Sequence, residues 1–108
     1  MLPKKNRADK KALENIFRTN SFLNSSNLSF KFLLNKNLNI KKISFIVPKN
    51  IAKNAVKRNL LRRLGYNIVQ KQLKYFPSGI IGVFIYKKYI EDISILENEI
   101  KNIINKIN

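Results

Sequence analysis

The sequence has no cysteine, no histidine and no tryptophan, and only six carboxylates among its 108 residues. Without Cys and His there can be no disulfide, no zinc-finger ligand set, no thiol nucleophile and no imidazole general base. The lack of Cys also fits a reducing compartment. Long apolar runs are missing too. Those present are short and interrupted by Lys or Asn, and the N-terminus MLPKKNRADKK holds no hydrophobic segment of the secretory kind. A cytoplasmic location is therefore expected. The six carboxylates, Asp9, Glu14, Glu91, Asp92, Glu97 and Glu99, sit near the two ends of the chain. A protein-borne two-metal nuclease site gathers clustered carboxylates around its ions, so no site of that kind is expected in the protein itself.

What is abundant is positive charge. From Asn15 to Ile90 there is no Asp or Glu, yet fifteen Lys and Arg residues fall in that stretch, five of them in KNAVKRNLLRRL at 53–64. The whole chain carries 22 Lys plus Arg, a net charge of +16 and a pI near 10.4. Such charge repels itself in a compact domain unless a polyanion neutralises it, and this pattern points to nucleic acid. Asn, Ile and Lys are all common here, as AT-rich coding would produce. That bias explains Lys in place of Arg better than it explains 76 residues without a carboxylate. At 12.6 kDa and 44% apolar content the chain supports one modest core. No repeat or linker divides it, so residues 1–108 are read as a single domain.

Asp9 can cap a short helix running to about Arg18, with Ala12, Leu13, Ile16 and Phe17 as its apolar stripe. Thr19 to Asn27, rich in Ser and Asn, reads as a loop. In NLSFKFLLN, Leu28, Phe30, Phe32 and Leu34 alternate with Ser29, Lys31 and Leu33, which predicts a strand. KKISFIVP is a second β-rich run, ended by Pro48. From about Ala52 to Leu73 the spacing turns helical, with Val56, Leu60, Leu61, Leu64 and Ile68 on one side and Arg58, Asn59, Arg62, Arg63 and Tyr66 on the other. FPSG then makes a turn, IIGVFIY reads as a buried strand, and Ser94 to Lys106 is an amphipathic helix with a Ser94/Glu97 capping box. Glu91 and Asp92 form a charge pair favourable to its N-terminal dipole.

The long basic helix carries the functional reading. Arg58, Asn59, Arg62 and Arg63 share a face, while the apolar stripe anchors the helix to a sheet. Arg presents forked donors matched to phosphate oxygens, and an ordered row loses less entropy on binding than a floppy Lys tail. A basic helix face can simply be solvated, but such faces interleave Glu with Lys for i, i+4 pairing. This one holds no Glu.

The segment VPKNIAKNAVKRNLLRRL resembles the signature of the bacterial ribonuclease P protein subunit. There a strand ends in a small residue followed by Lys, and a loop and an Arg-Asn-Arg helix come next. The order of elements is similar over nearly the whole chain. By this resemblance Lys49 and Lys53 match basic positions after the strand and in the loop. Arg58 and Asn59 match the first two signature residues, and Arg62 and Arg63 the basic pair beyond, with Lys57 adding charge nearby. Leu60 departs at the third signature position, usually Arg, and Tyr66 stands where many members carry another Arg.

The resemblance implies an α+β fold, a two-layer sandwich of a mixed four-stranded sheet with three helices, ribosomal protein S5 domain 2-like. It also implies a left-handed crossover from the strand near Ile43 to Val47 to that near Ile80 to Tyr86, where base rates alone favour the right hand. The implied function is that of a protein component which binds a catalytic RNA and the 5′ leader of precursor tRNA, at one protein per RNA. The RNA, with bound Mg²⁺, cuts the leader off. The leader would lie in a cleft between the first helix and the sheet, received by stacking and phosphate contact. Arg7, Leu13, Phe17 and Lys31 are the candidates for that cleft. Leu13 and Phe17 are also compatible with a core role. Lys31 depends on strand register, because one residue of slip reverses the faces. Lys4, Lys5 and Arg7 either reach phosphates at the cleft entrance or belong to a flexible basic N-terminus over residues 1–8. Two other classes share part of the pattern. One is a non-catalytic ribosomal-type or chaperone RNA-binding protein. The other is a membrane-surface protein, for which interfacial Trp is lacking, so no membrane partner is expected.

Overall fold

The computed structural model describes residues 21–35, 37 and 39–107. Among the described residues there are four strands, β1 (Phe22–Asn24), β2 (Leu28–Leu34), β3 (Lys41–Ile46) and β4 (Ile80–Tyr86), and two α-helices, α1 (Ala55–Gln72) and α2 (Ile93–Ile107). A short 3₁₀ turn, Leu73–Tyr75, follows α1. The expected N-terminal helix over Asp9 to Arg18 lies outside the described residues.

The sheet order is β1-β2-β4-β3. β1 pairs antiparallel with β2 and β2 with β4, whereas β3 and β4 run parallel, so the sheet is mixed. A parallel pair needs a crossover, which α1 supplies. β4 lies between two partners, which explains the unbroken apolar run IIGVFIY: Val83 and Phe84 point to opposite faces and both are fully buried. Thr19 to Asn27 is not all loop. Phe22–Asn24 forms the edge strand β1, a three-residue element flanked by Ser and Asn that offers too few positions for alternation to be read.

Both helices pack on one face of the sheet around a core that includes Leu28, Phe30, Ile43, Phe45, Leu61, Phe84, Leu96 and Ile100. Its centre is a stack of rings, with Phe84 4.2 Å from Phe30 and 5.0 Å from Phe45 between centroids. Two glycines make room for it. A Cβ at Gly65 on α1 would run into the Phe45 ring, and one at Gly82 on β4 would run into Phe30.

α1 begins at Ala55 rather than near Ala52. Asn54, in extended conformation, accepts a hydrogen bond from Val56 N at 2.7 Å and caps the helix. Pro48 O accepts from Ile51 N and Ala52 N, so residues 48–52 form a tight turn ahead of it. The buried side of α1 is Leu61, Gly65, Tyr66, Ile68 and Val69. This is rotated from the expected stripe: Val56 is 72% exposed and Tyr66 is buried. The reason is an edge. Among the described residues β3 has a strand neighbour on one side only, and the Tyr66 hydroxyl accepts the Phe45 N–H at 3.3 Å, while Gly65 lets the helix approach. Tyr86 likewise donates its hydroxyl to Leu61 O at 2.7 Å from inside the core, and burial pushes its phenol pKa far up.

α2 starts differently from the Ser94/Glu97 expectation. Asp92 accepts from Ile95 N at 3.2 Å and is the capping side chain, so its placement at a helix start agrees with the dipole argument while the capping box does not form. On its inner side Glu99 is buried and accepts from Ser25 Oγ, from Asn27 N at 2.7 Å and from Asn27 Nδ2 at 2.6 Å. Burial raises the Glu99 pKa, but the hydrogen bonds from Ser25, Asn27 and the Leu28 backbone outweigh it and hold the carboxyl below its ordinary value.

Candidate nucleic-acid interface

The basic surface is built from the turn after β3 and the first half of α1. Lys49, Lys53 and Lys57 are exposed, Asn59 and Arg63 are exposed, and Arg58 and Arg62 are half-buried. The rotation of α1 causes this difference. Arg58 and Arg62 stand on the side that its second half buries, so they lie along the border of the core, and Asn59 and Arg63 turn outward.

Arg58 is not a free fork. Its Nη1 donates to Ala52 O at 2.9 Å and to Lys53 O at 2.8 Å, folding the guanidinium against the turn. It ties that turn to the helix and keeps Lys53 beside it. One turn on, Arg62 Nη2 donates to Asn59 Oδ1. This bond holds the guanidinium against the exposed Asn59 side chain in one orientation, which is pre-organisation for a phosphate or a base edge. Leu60 is half-buried and Tyr66 buried, so neither adds charge to this surface. α1 has no acidic residue. Val56, set between Lys53 and Lys57, is an apolar spot on this cationic surface that hydrophobic periodicity had assigned to the core.

The second candidate surface is the sheet face turned away from α1 and α2. Strand register fixes which side chains of β2 face the helices. Phe30 is fully buried in the core and Phe32 stacks on it at 5.4 Å, which places Lys31 on the opposite face. There Lys31 sits in a row across the sheet, Phe22–Lys31–Val83–Ser44, whose Val83 and Ser44 end is buried and whose Phe22 end is open, next to the row Leu33–Ile81–Lys42. Phe22 is 53% exposed. Phe22 and Lys42 belong to this face and were missed in the sequence, because β1 was unread and Lys42 stands in a strand with no clean alternation. Arg7, Leu13 and Phe17 lie outside the described residues.

Among the described residues, carboxylates stay away from both surfaces. Among the described residues they are Glu91, Asp92, Glu97 and Glu99, all just before or within α2, and no group of three or more metal-ligating side chains forms. Asp92 is engaged in capping and Glu99 in holding the β1–β2 turn, so this donor set does not fit a protein-held metal centre. Among the described residues no helix is long and apolar enough to cross a membrane.

The architecture is similar to that of solved ribonuclease P proteins. The protein from Thermotoga maritima superposes with a TM-score of 0.82 at 19% identity, covering 94% of this chain and 97% of its own. That from Staphylococcus aureus gives 0.81 at 16% identity, with 97% of each chain covered. No curated protein matches the sequence. The model of the family described as Ribonuclease P matches residues 2–108. With a match over nearly its full length, the chain belongs to the ribonuclease P protein family and serves as a protein component of ribonuclease P.

Proposed function

We propose that the protein binds the catalytic RNA of ribonuclease P through the turn at 48–54 and the outward side of α1, and holds the 5′ leader of precursor tRNA on the sheet face that carries Lys31. Lys49, Lys53, Lys57, Arg58, Asn59, Arg62 and Arg63 form the first contact. Lys31 takes part in the second, together with Arg7, Leu13 and Phe17 from the N-terminal segment. The observation that carries this reading is the Arg62–Asn59 pair, oriented on an exposed helix without acidic residues and flanked by three exposed lysines.

The chemistry belongs to the RNA in this reading. Mg²⁺ resides on the RNA in this reading, which is supported by the small number of carboxylates in the protein and by the engagement of Asp92 and Glu99 in capping α2 and holding the β1–β2 turn. The protein's own residues neutralise phosphate crowding as the RNA folds and position the leader by charge and stacking. One protein acts per RNA, in the cytoplasm, as one domain over residues 1–108. The β3–α1–β4 crossover is left-handed in this reading.

Reconstitution tests it. A bacterial ribonuclease P RNA is assayed for leader removal from precursor tRNA with and without the protein as Mg²⁺ is lowered. A gain in cleavage at low Mg²⁺ is expected. RNA binding with no gain would instead mark a ribosomal-type or chaperone RNA-binding protein.

A further inference from the structure

At the end of α1 remote from the arginines, the 3₁₀ turn and the last turns of α2 enclose an open groove of about 320 Å³, lined by Gln72, Tyr75, Lys101, Ile104 and Asn105. Its lining combines four kinds of group. Ile104 is buried and gives an aliphatic floor; Tyr75 is 54% exposed and gives a flat aromatic wall. Gln72 and Asn105 carry side-chain amides, each with both donors and an acceptor. Lys101 is exposed at the rim, and Lys74 brings its Nζ to 5.1 Å from the Tyr75 ring centroid. Among the described residues no carboxylate side chain lines the groove.

We infer that this groove receives one unpaired nucleotide of the RNA that the chain binds, an inference that rests on the RNA-binding reading above. The net charge of +16 selects a polyanion as occupant. Within a polyanion, the groove suits the base and not the phosphate. Gln72 ends α1, where Lys41 Nζ already donates to Leu73 O at 3.1 Å, and Ile104 and Asn105 lie in the last turns of α2, so the helix N-termini whose N–H groups cradle a phosphate are at the far ends of both helices. A base brings a π-face for Tyr75 and polar edges for the two amides, and its flanking phosphates fall to Lys74 and Lys101. Since α1 rises about 1.5 Å per residue, Gln72 lies roughly 20 Å from Arg58. The groove is thus a second foothold, apart from the arginine surface and on the side of the sheet opposite Lys31.

The test measures binding of the full-length protein to two RNAs, a ribonuclease P RNA and a leader-bearing precursor tRNA, over a range of salt. Tyr75→Ala is expected to weaken binding to one of them about tenfold with the salt slope unchanged, and Tyr75→Phe to stay within about twofold of the parent. The RNA that loses affinity is the source of the nucleotide. Asn105→Ala, at an exposed position that does not threaten folding, is expected to weaken the same RNA several-fold. The inference is overturned if both alanine variants bind both RNAs like the parent while Arg58→Ala/Arg62→Ala still weakens binding, a result that leaves the proposed function standing. It is also overturned if Tyr75→Ala lowers the salt slope by about one, since that marks a phosphate contact. A parent protein that binds neither RNA would remove the RNA-binding reading, and the groove with it.

Discussion

The two helices share one face of the sheet but are anchored to it by opposite means. α2 carries Glu97 and Glu99, starts on Asp92, and uses a buried carboxylate to grip the β1–β2 turn. α1 has no acidic residue in its 18 positions, and it is held by neutral groups: the Tyr66 hydroxyl on β3, the Leu61 carbonyl under Tyr86, and a glycine that lets Phe45 in close. The difference teaches where this chain can afford negative charge. A carboxylate on α1 would sit among Lys57, Arg58, Arg62 and Arg63 and cancel the positive field they create. On α2 it serves structure without that cost.

The comparison can be broken first at its tightest point. Gly65→Val puts side-chain atoms where the Phe45 ring sits, and overpacking of this sort costs on the order of 3 kcal/mol. A clear fall in denaturant midpoint is expected, and unchanged stability would mean that α1 does not need the close approach. Next, replacing Arg58 and Arg62 together by Ala should weaken RNA binding by tens of fold at about 0.1 M salt and reduce the salt slope by roughly one to two units. Because Arg58 also clasps the Ala52 and Lys53 carbonyls, faster hydrogen exchange at 49–54 should accompany the loss.

The α2 side of the comparison has a smaller and different signature. Glu99→Gln keeps the shape but loses charge-assisted acceptance, which should cost about 1.5 kcal/mol with RNA affinity unchanged. The folded-state pKa of Glu99 is lowered from 4.5, so its contribution is fully present above that value and is lost as pH falls through the lower, folded one. The parent should therefore lose part of its stability over that acid range, and Glu99→Gln should lose less. Parallel acid profiles would show that Glu99 is not the group responsible.

Legibility in the sequence followed the physics of each element. β2, β3, β4 and both helices could be read because alternation, an unbroken apolar run and helical spacing each persist over six or more residues. β1 has three. The existence and charge of the α1 surface were legible as well, since they depend on residue types alone. Its orientation was not, because it depends on Tyr66 bonding to an edge strand more than twenty positions away and on the space left at Gly65. A wheel that counts Tyr as polar places it with the arginines. The start of α2 shows the same limit on a smaller scale: Ser94 and Glu97 have the spacing of a capping box, but Asp92 reaches the Ile95 N–H first. On β2, alternation set Phe30 and Lys31 on opposite faces, and only the location of the helices decided which face was which.

The most direct measurement of the central claim compares the helices within one RNA complex. The chain has no cysteine, so Asn59→Cys on α1 and Ser94→Cys at the start of α2 each create a single attachment point for an iron chelate that cleaves nearby RNA by hydroxyl radical. Both positions are exposed. Strong, localised cleavage of ribonuclease P RNA from position 59, with little from position 94 beside Glu91 and Asp92, is the expected result. Equal cleavage from the two sites, or stronger cleavage from position 94, would contradict the assignment of α1 as the RNA-docking surface.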